Sequence, residues 1–190
     1  MDLRAQKTQK AIINAFLTLR AKKPLNKITV TELAKEAMIS KATFYLHYSD
    51  IYDLSERLQD RLVLDIVGEI PHPERMYTAP DEYSRALITA FEANSALTDI
   101  LFSDDERNRL AEKLEEHIKA SIYSEKPQLR ENIGFDIALS MIIHGSFHAY
   151  RRFMGRDPEA TAEWISRIAK VLTEFVAETQ KGQRQNALSE

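Results

Sequence analysis

The chain has 190 residues, 44% apolar and 29% charged, with no cysteine and a formal charge of −3. That length and apolar content suit one or two packed domains rather than a disordered polymer, and the absent cysteines exclude disulfides, thiolate metal sites and a cysteine nucleophile. No apolar run reaches the roughly 18 residues of a membrane span, and the stretch Met1 to Lys7 lacks the apolar core of a signal peptide, so a cytoplasmic protein is expected.

The charge is unevenly divided. Residues 1–50 hold nine Lys or Arg against four acids, a formal +5, which leaves −8 on the remainder. A basic end on an acidic body points to nucleic acid at one end and to something else at the other.

From about Arg4 to Ala21, Ile12, Ile13, Phe16, Leu17 and Leu19 recur as a helical stripe, with Lys7 and Lys10 on the exposed face. Lys22-Lys23-Pro24 marks a loop, and Lys27 lies close to where a phosphate would run. Val30, Leu33, Ala34 and Ala37 then give a short helix one apolar face, with Thr29 or Thr31 as its cap. Met38-Ile39-Ser40 interrupts the period. Ser40 is placed to cap a second helix that carries Lys41, Thr43, Tyr45 and His47 beside the apolar Phe44 and Tyr48. Two helices joined by so short a turn, the second rich in donors, form a helix-turn-helix pattern.

The run Thr29-Val-x-x-Leu-Ala-x-x-Ala-x-Ile-Ser-Lys-x-Thr-Phe-Tyr-x-His-Tyr48 resembles the N-terminal signature of the TetR family of transcriptional regulators, over about Lys7 to Leu58. The resemblance implies an all-α chain: a three-helix DNA-binding domain over residues 1–50 and a larger helical effector-binding and dimerisation domain over 51–190. It also implies a homodimer on operator DNA, acting as a repressor and released by a small-molecule effector, with no enzyme activity and no cofactor. Lys41, Ala42 and Thr43 would open the recognition helix toward base edges. Tyr45 and His47 match family positions that hold phosphates, Thr31 and its helix N-terminus would do the same, and Thr29 and Ser40 complete the interface. Two positions depart from the family. Met38 stands where a left-handed turn usually has glycine, at a cost of about 1–2 kcal/mol, and Ile51 stands where a lysine usually holds a phosphate. Both blunt the DNA head, which motivates an alternative: a TetR-like co-regulator or ligand sensor that works mainly through a protein partner.

After Ser49-Asp50, a second cap, Leu54, Leu58, Leu62 and Ile66 predict one long connecting helix to about Glu69, able to carry an effector-induced shift. Pro71 and Pro73 end it, and Pro80 closes an aperiodic loop of about ten residues. Three further helices follow, marked by Tyr83, Leu87, Ile88 and Phe91, by Leu97, Ile100 and Leu101, and by Leu110, Leu114 and Ile118. Pro127 breaks the chain. A long helix is expected from about Leu129 to Met154, and another from Asp157-Pro158, its stripe of Trp164, Ile165, Ile168, Val171, Leu172, Phe175 and Val176 wider than one partner helix needs. The excess predicts a dimer through these two C-terminal helices, and residues from Gly182 onward are expected to fray.

The search for catalytic chemistry finds no phosphate-binding glycine loop and no strand pattern to carry a Rossmann unit. His144 and His148 have the i,i+4 spacing of a zinc pair, but Gly145 occupies the place of a metalloprotease base, so packing or an effector role is the better reading and no metal is expected. For an effector cavity the candidates are Tyr83, Phe91, Phe102, His117, Met141, His144, His148 and Arg151. A cavity that includes Arg151 or Arg152 would favour an anion, and one built from Phe91, Phe102, Met141 and Tyr83 an apolar molecule.

Overall fold

A computed structural model describes residues 3–70, 75–103 and 106–187, with the side chains of all but 77, 107 and 177–187. In chain order the helices are α1 (Leu3–Arg20), α2 (Val30–Glu36), α3 (Lys41–Tyr45), α4 (Ile51–Gly68), α5 (Arg75–Thr78), α6 (Pro80–Ala93), α7 (Ser95–Leu101), α8 (Arg107–Glu125), α9 (Ile133–Phe153) and α10 (Pro158–Ala187). Short 3₁₀ turns cover Leu25–Lys27 and Pro127–Glu131. The chain divides into two compact units, one of Met1–Leu62 with Ser95–Asn108, the other of Val63–Asn94 with Arg109–Glu190. None of the described helices is long and apolar enough to cross a membrane.

In the first unit, Ile12 and Phe16 of α1, Leu33 of α2, Phe44 of α3 and Leu54 of α4 have lost all contact with solvent. Each such side chain contributes about 1.5–3 kcal/mol of burial, enough to hold helices of five to seven residues that would not persist alone. Local signals set their ends. Thr29 caps α2 by accepting from Glu32 N at 3.2 Å, and Asp50 Oδ1 accepts from Asp53 N at 2.8 Å at the start of α4. The unit also takes in α7. Gln59 of α4 donates to Leu101 O at 2.9 Å, and Glu106 Oε2 receives Arg20 and Gln59, each at 3.3 Å. Arg20 donates as well to Lys23 O and Ser103 O.

The second unit packs α10 against α6 and α9. Leu110, Leu114 and Ile118 of α8 and Leu139 and Ile143 of α9 are buried, as are Ile165 and Ala169 of α10. A polar cluster ties α8 to α9: Glu115 accepts from Ser140, from His144 Nε2 at 2.8 Å and from Lys119 at 2.7 Å, while Asp136 accepts from Tyr123.

Several expectations need correction. The supposed loop after Pro73 contains α5, and Pro80 opens α6 at its first position, where its missing N–H costs nothing, instead of closing a loop. Residues 71–74 lie outside the described set. The ninth helix begins at Ile133, not Leu129, because Asn132 caps it by accepting from Phe135 N at 3.0 Å and Pro127–Glu131 forms a 3₁₀ turn. The last helix does not stop at Gly182; its backbone continues to Ala187.

Candidate functional site

The turn between α2 and α3 is built from three hydrogen bonds. Ala37 N donates to Leu33 O, Met38 N to Lys35 O, and Ile39 N to Ala34 O, the pattern of a helix closed by a left-handed residue. That residue is Met38, with φ of 54° and 91% of its surface exposed. It is the one non-glycine with positive φ among the described residues, so the strain expected from its departure from glycine is present. The turn aims the chain at Ser40, which accepts from Thr43 N at 3.0 Å and lies 2.8 Å from Thr43 Oγ1. The start of α3 is thereby fixed by Ser40 and Thr43, two of the residues expected at the DNA interface.

Phe44 and Tyr48 anchor that helix from beneath, their rings 5.8 Å apart, with Gln9 of α1 donating to Tyr48 Oη and Arg57 of α4 lying over the Tyr48 ring. On the opposite side Lys41, Ala42 and Tyr45 are exposed, and Thr43 and His47 are half-buried. Tyr45 sets its ring edge-on to Phe44 at 5.5 Å yet stays 56% exposed, so it is braced and reachable at once. Thr29 and Thr31 are exposed at the start of α2. The sequence-derived residues Thr29, Thr31, Ser40, Lys41, Ala42, Thr43 and Tyr45 therefore lie on the two short helices or their N-caps and His47 just past the C-cap of α3, none of them buried.

The cationic end is less uniform than its charge count. Lys7, Lys10, Lys22, Lys27, Lys35 and Lys41 are exposed. Arg20 is buried and paired with Glu106, and Lys23 is paired with Glu32. Ile51 is buried in the core of the unit, so the position where a phosphate-holding lysine was expected is used for packing.

The second unit contains a cavity of about 90 Å³ bordered by α5, α6, α8, α9 and α10. Of the eight effector candidates it takes in two, Tyr83 and Phe91. On α9 the lining consists of Phe135, Ala138, Leu139, Ile142, Ile143, Ser146, Phe147 and Tyr150, which recur at helical spacing. Met141, His144 and His148 fall on the other side of that helix and are exposed, His144 engaged with Glu115. Arg151 is exposed with its guanidinium over the Phe147 ring, Phe102 is buried in the first unit, and half-buried His117 is not part of the lining. Phe91 meets Phe147 and Tyr150 edge-on, with centroids 5.9 and 4.9 Å apart. Paired apolar positions at 138/139 and 142/143, continued by Phe147, were the missed signal, since a stripe two residues wide faces more than a single helix. Among the described residues no group of three His, Cys, Asp or Glu could hold a metal ion.

No protein-family model and no curated protein sequence matches the chain. Solved structures do. A protein from Shewanella sp. PV-4 assigned to the TetR family of transcription regulators superposes with a TM-score of 0.57 at 15% identity, over 87% of this chain and 95% of that one. The fatty acid degradation regulator FadR from Bacillus halodurans matches at 18% identity and a TM-score of 0.49, over 87% and 94% of the two chains. With a helix-turn-helix at the head, α4 running on from it and α8 to α10 packed in the second unit, the chain has the all-helical fold of a TetR family regulator.

Proposed function

We propose that the protein is a transcription regulator, a repressor, that binds a two-fold operator as a homodimer and leaves it when a small molecule occupies the cavity of the second unit. The observation that supports this most is the construction of α3: capped by Ser40, anchored by Phe44 and presenting Lys41, Ala42 and Tyr45 outward. Lys41 is a donor for guanine, Ala42 and the Thr43 methyl suit a thymine methyl, and Tyr45, His47 and Thr31 serve phosphates.

The dimer reading rests on solvent-exposed apolar rows of the second unit: Ile133, Ile137 and Met141 on α9, and Trp164, Ile168, Val171 and Phe175 on α10. A second copy of the chain is the natural cover for such rows, because one isologous contact shields both. Three elements carry the chain between units and are the means of release. α4 begins in the first unit and ends in the second, α6, which borders the cavity, leads directly into α7 of the first unit, and α8 starts in the first unit and continues in the second. A hundredfold loss of operator affinity requires the effector to discriminate between the two states by about 2.7 kcal/mol.

The test is selection of genomic fragments by the purified protein, then binding of the best fragment across salt concentrations. A two-fold sequence whose affinity falls steeply with salt is expected. Lys41→Ala is expected to cost about 1–3 kcal/mol and relax sequence preference, and Tyr45→Phe with His47→Ala to weaken all sequences alike. Weak, sequence-blind binding by the wild type would sink the regulator reading and favour action through a protein partner.

A further inference from the structure

We infer that the cavity selects a neutral, largely apolar molecule bearing one hydrogen-bond acceptor, which Tyr83 Oη engages, and that it rejects carboxylates and other anions. This builds on the effector reading above by naming the ligand's chemistry.

The argument starts from what the lining lacks and what it leaves unsatisfied. Every described residue that borders the cavity is aliphatic, aromatic, methionine, proline or a hydroxyl-bearing side chain; no Lys, Arg, His, Asp or Glu is among these described residues. An ion entering such a site loses its hydration and gains no countercharge, a penalty of several kcal/mol that hydroxyls do not offset. The arginines that adjoin lining residues do not supply one: Arg75 is paired with Glu82 at 2.8 Å, and Arg85 and Arg151 are exposed, the latter over the Phe147 ring.

The hydroxyls are not equivalent. Ser84 Oγ donates to Pro80 O at 2.8 Å and Thr173 Oγ1 to Ala169 O at 2.8 Å, so both are spent on their own helices. Tyr83 is only 5% exposed, and its phenol has no hydrogen-bond partner among the described residues. Burial alone pushes its pKa up to about 12, which keeps the proton on the oxygen at any physiological pH. The Tyr83 hydroxyl has a proton to give and no protein group among the described residues to receive it, so an acceptor on the ligand gains a hydrogen bond there. The aromatic wall of Phe91, Phe147 and Tyr150, already arranged edge to face, suits a flat apolar body beside it.

Three molecules of nearly one shape separate these terms: 2-acetylnaphthalene offers a neutral acceptor, 2-ethylnaphthalene removes it, and 2-naphthoate adds a charge. Their binding is read by displacement of the fluorescent neutral probe N-phenyl-1-naphthylamine from the full chain at pH 7.5. The ketone is expected to bind about tenfold tighter than the hydrocarbon and at least a hundredfold tighter than the carboxylate. Tyr83→Phe is expected to erase the preference for ketone over hydrocarbon while the probe still binds, an outcome that general damage to the fold would not give. Ala138→Phe, which adds a ring at the lining, is expected to abolish the probe signal. Equal or tighter binding of 2-naphthoate overturns the inference, as does an unchanged ketone preference in Tyr83→Phe or probe binding that survives Ala138→Phe. Because no DNA is present, the two readings fail separately. A chain with this ligand preference and no operator would sink the regulator alone, and one that binds an operator yet prefers the carboxylate would sink this inference alone.

Discussion

In the first unit Ile12, Phe16, Leu33, Phe44 and Leu54 are sealed from solvent, whereas in the second unit Ile137, Trp164, Ile168 and Phe175 stand in it and Phe91, Phe147 and Ile142 border empty space. The first unit thus spends these large apolar groups on its own stability and turns capped helices outward, with Met38, Leu46 and Tyr52 left exposed among their polar residues. The second holds apolar surface in reserve, on one side of α9 for a cavity and on the other for solvent or a partner. Under the proposed function, a unit that reads DNA needs a fixed geometry, while one that binds a ligand and a second copy needs surface that folding has not consumed.

The widest separation between the two is expected from Ile168→Glu combined with Phe175→Glu. Both side chains are exposed, so their loss costs the folded chain little, and the thermal midpoint is expected to stay within a few degrees. Four carboxylates facing one another across a two-fold contact would nevertheless prevent it, so sedimentation is expected to show a monomer. Operator affinity is then expected to fall by at least a hundredfold, because the two half-sites are no longer bound together. A variant that remains dimeric would show that the exposed rows of α9 and α10 are not the contact.

A smaller effect tests whether the first unit is as unstrained as its sealed core suggests. Met38→Gly relieves about 1–2 kcal/mol of left-handed strain and adds about 0.5–1 kcal/mol of unfolded-state entropy, so a net gain of about 0.5–1 kcal/mol in denaturant unfolding is expected. Met38→Ala, which keeps the β-carbon, is expected to give none. A gain from both would mean that the exposed thioether, not the backbone angle of 54°, was the liability.

The same contrast decides how much the sequence discloses. The caps at Ser40 and Asp50, the left-handed Met38 and the buried Phe44 and Tyr48 all follow from residues within five positions of one another, where the physics is local. Arg20 is different. It counts as a cation of the DNA-binding end until Glu106, 86 residues away, is seen to bury it. Phe102 likewise lies outside the cavity because its segment returns to the first unit, a fact of topology and not of pattern. On α9 apolar residues occupy most of the circumference, so periodicity marks a helix but cannot assign Met141 to the outside and Ile142 to the cavity. Tyr83 and Phe91 were legible because α6 carries a single stripe.

The finest probe concerns the polar cluster that joins α8 to α9, the second unit's counterpart of the Arg20, Gln59 and Glu106 cluster in the first. Burial opposes ionisation of Glu115, but Lys119, Ser140 and His144 donate to it and together hold its carboxyl below the usual carboxylate range. Burial also works against the charge of Lys119, and its contacts with Glu115 and Asp136 more than compensate, so its pKa is raised. A carboxyl with a lowered folded pKa stabilises the protein fully above its ordinary value of 4.5, and the contribution is lost as pH falls through the lowered value. The lysine contribution is present at neutral pH and is lost only as pH rises through a value above 10.5. Glu115→Gln keeps the shape and removes the charge. It is expected to lower the thermal midpoint at pH 7 by about 1–2 °C, since the cluster is partly solvated and screened. That deficit is expected to close as the wild-type carboxyl protonates below pH 4.5. A deficit that stays constant down to pH 3 would show that the hydrogen-bond geometry, rather than the charge, holds these two helices together.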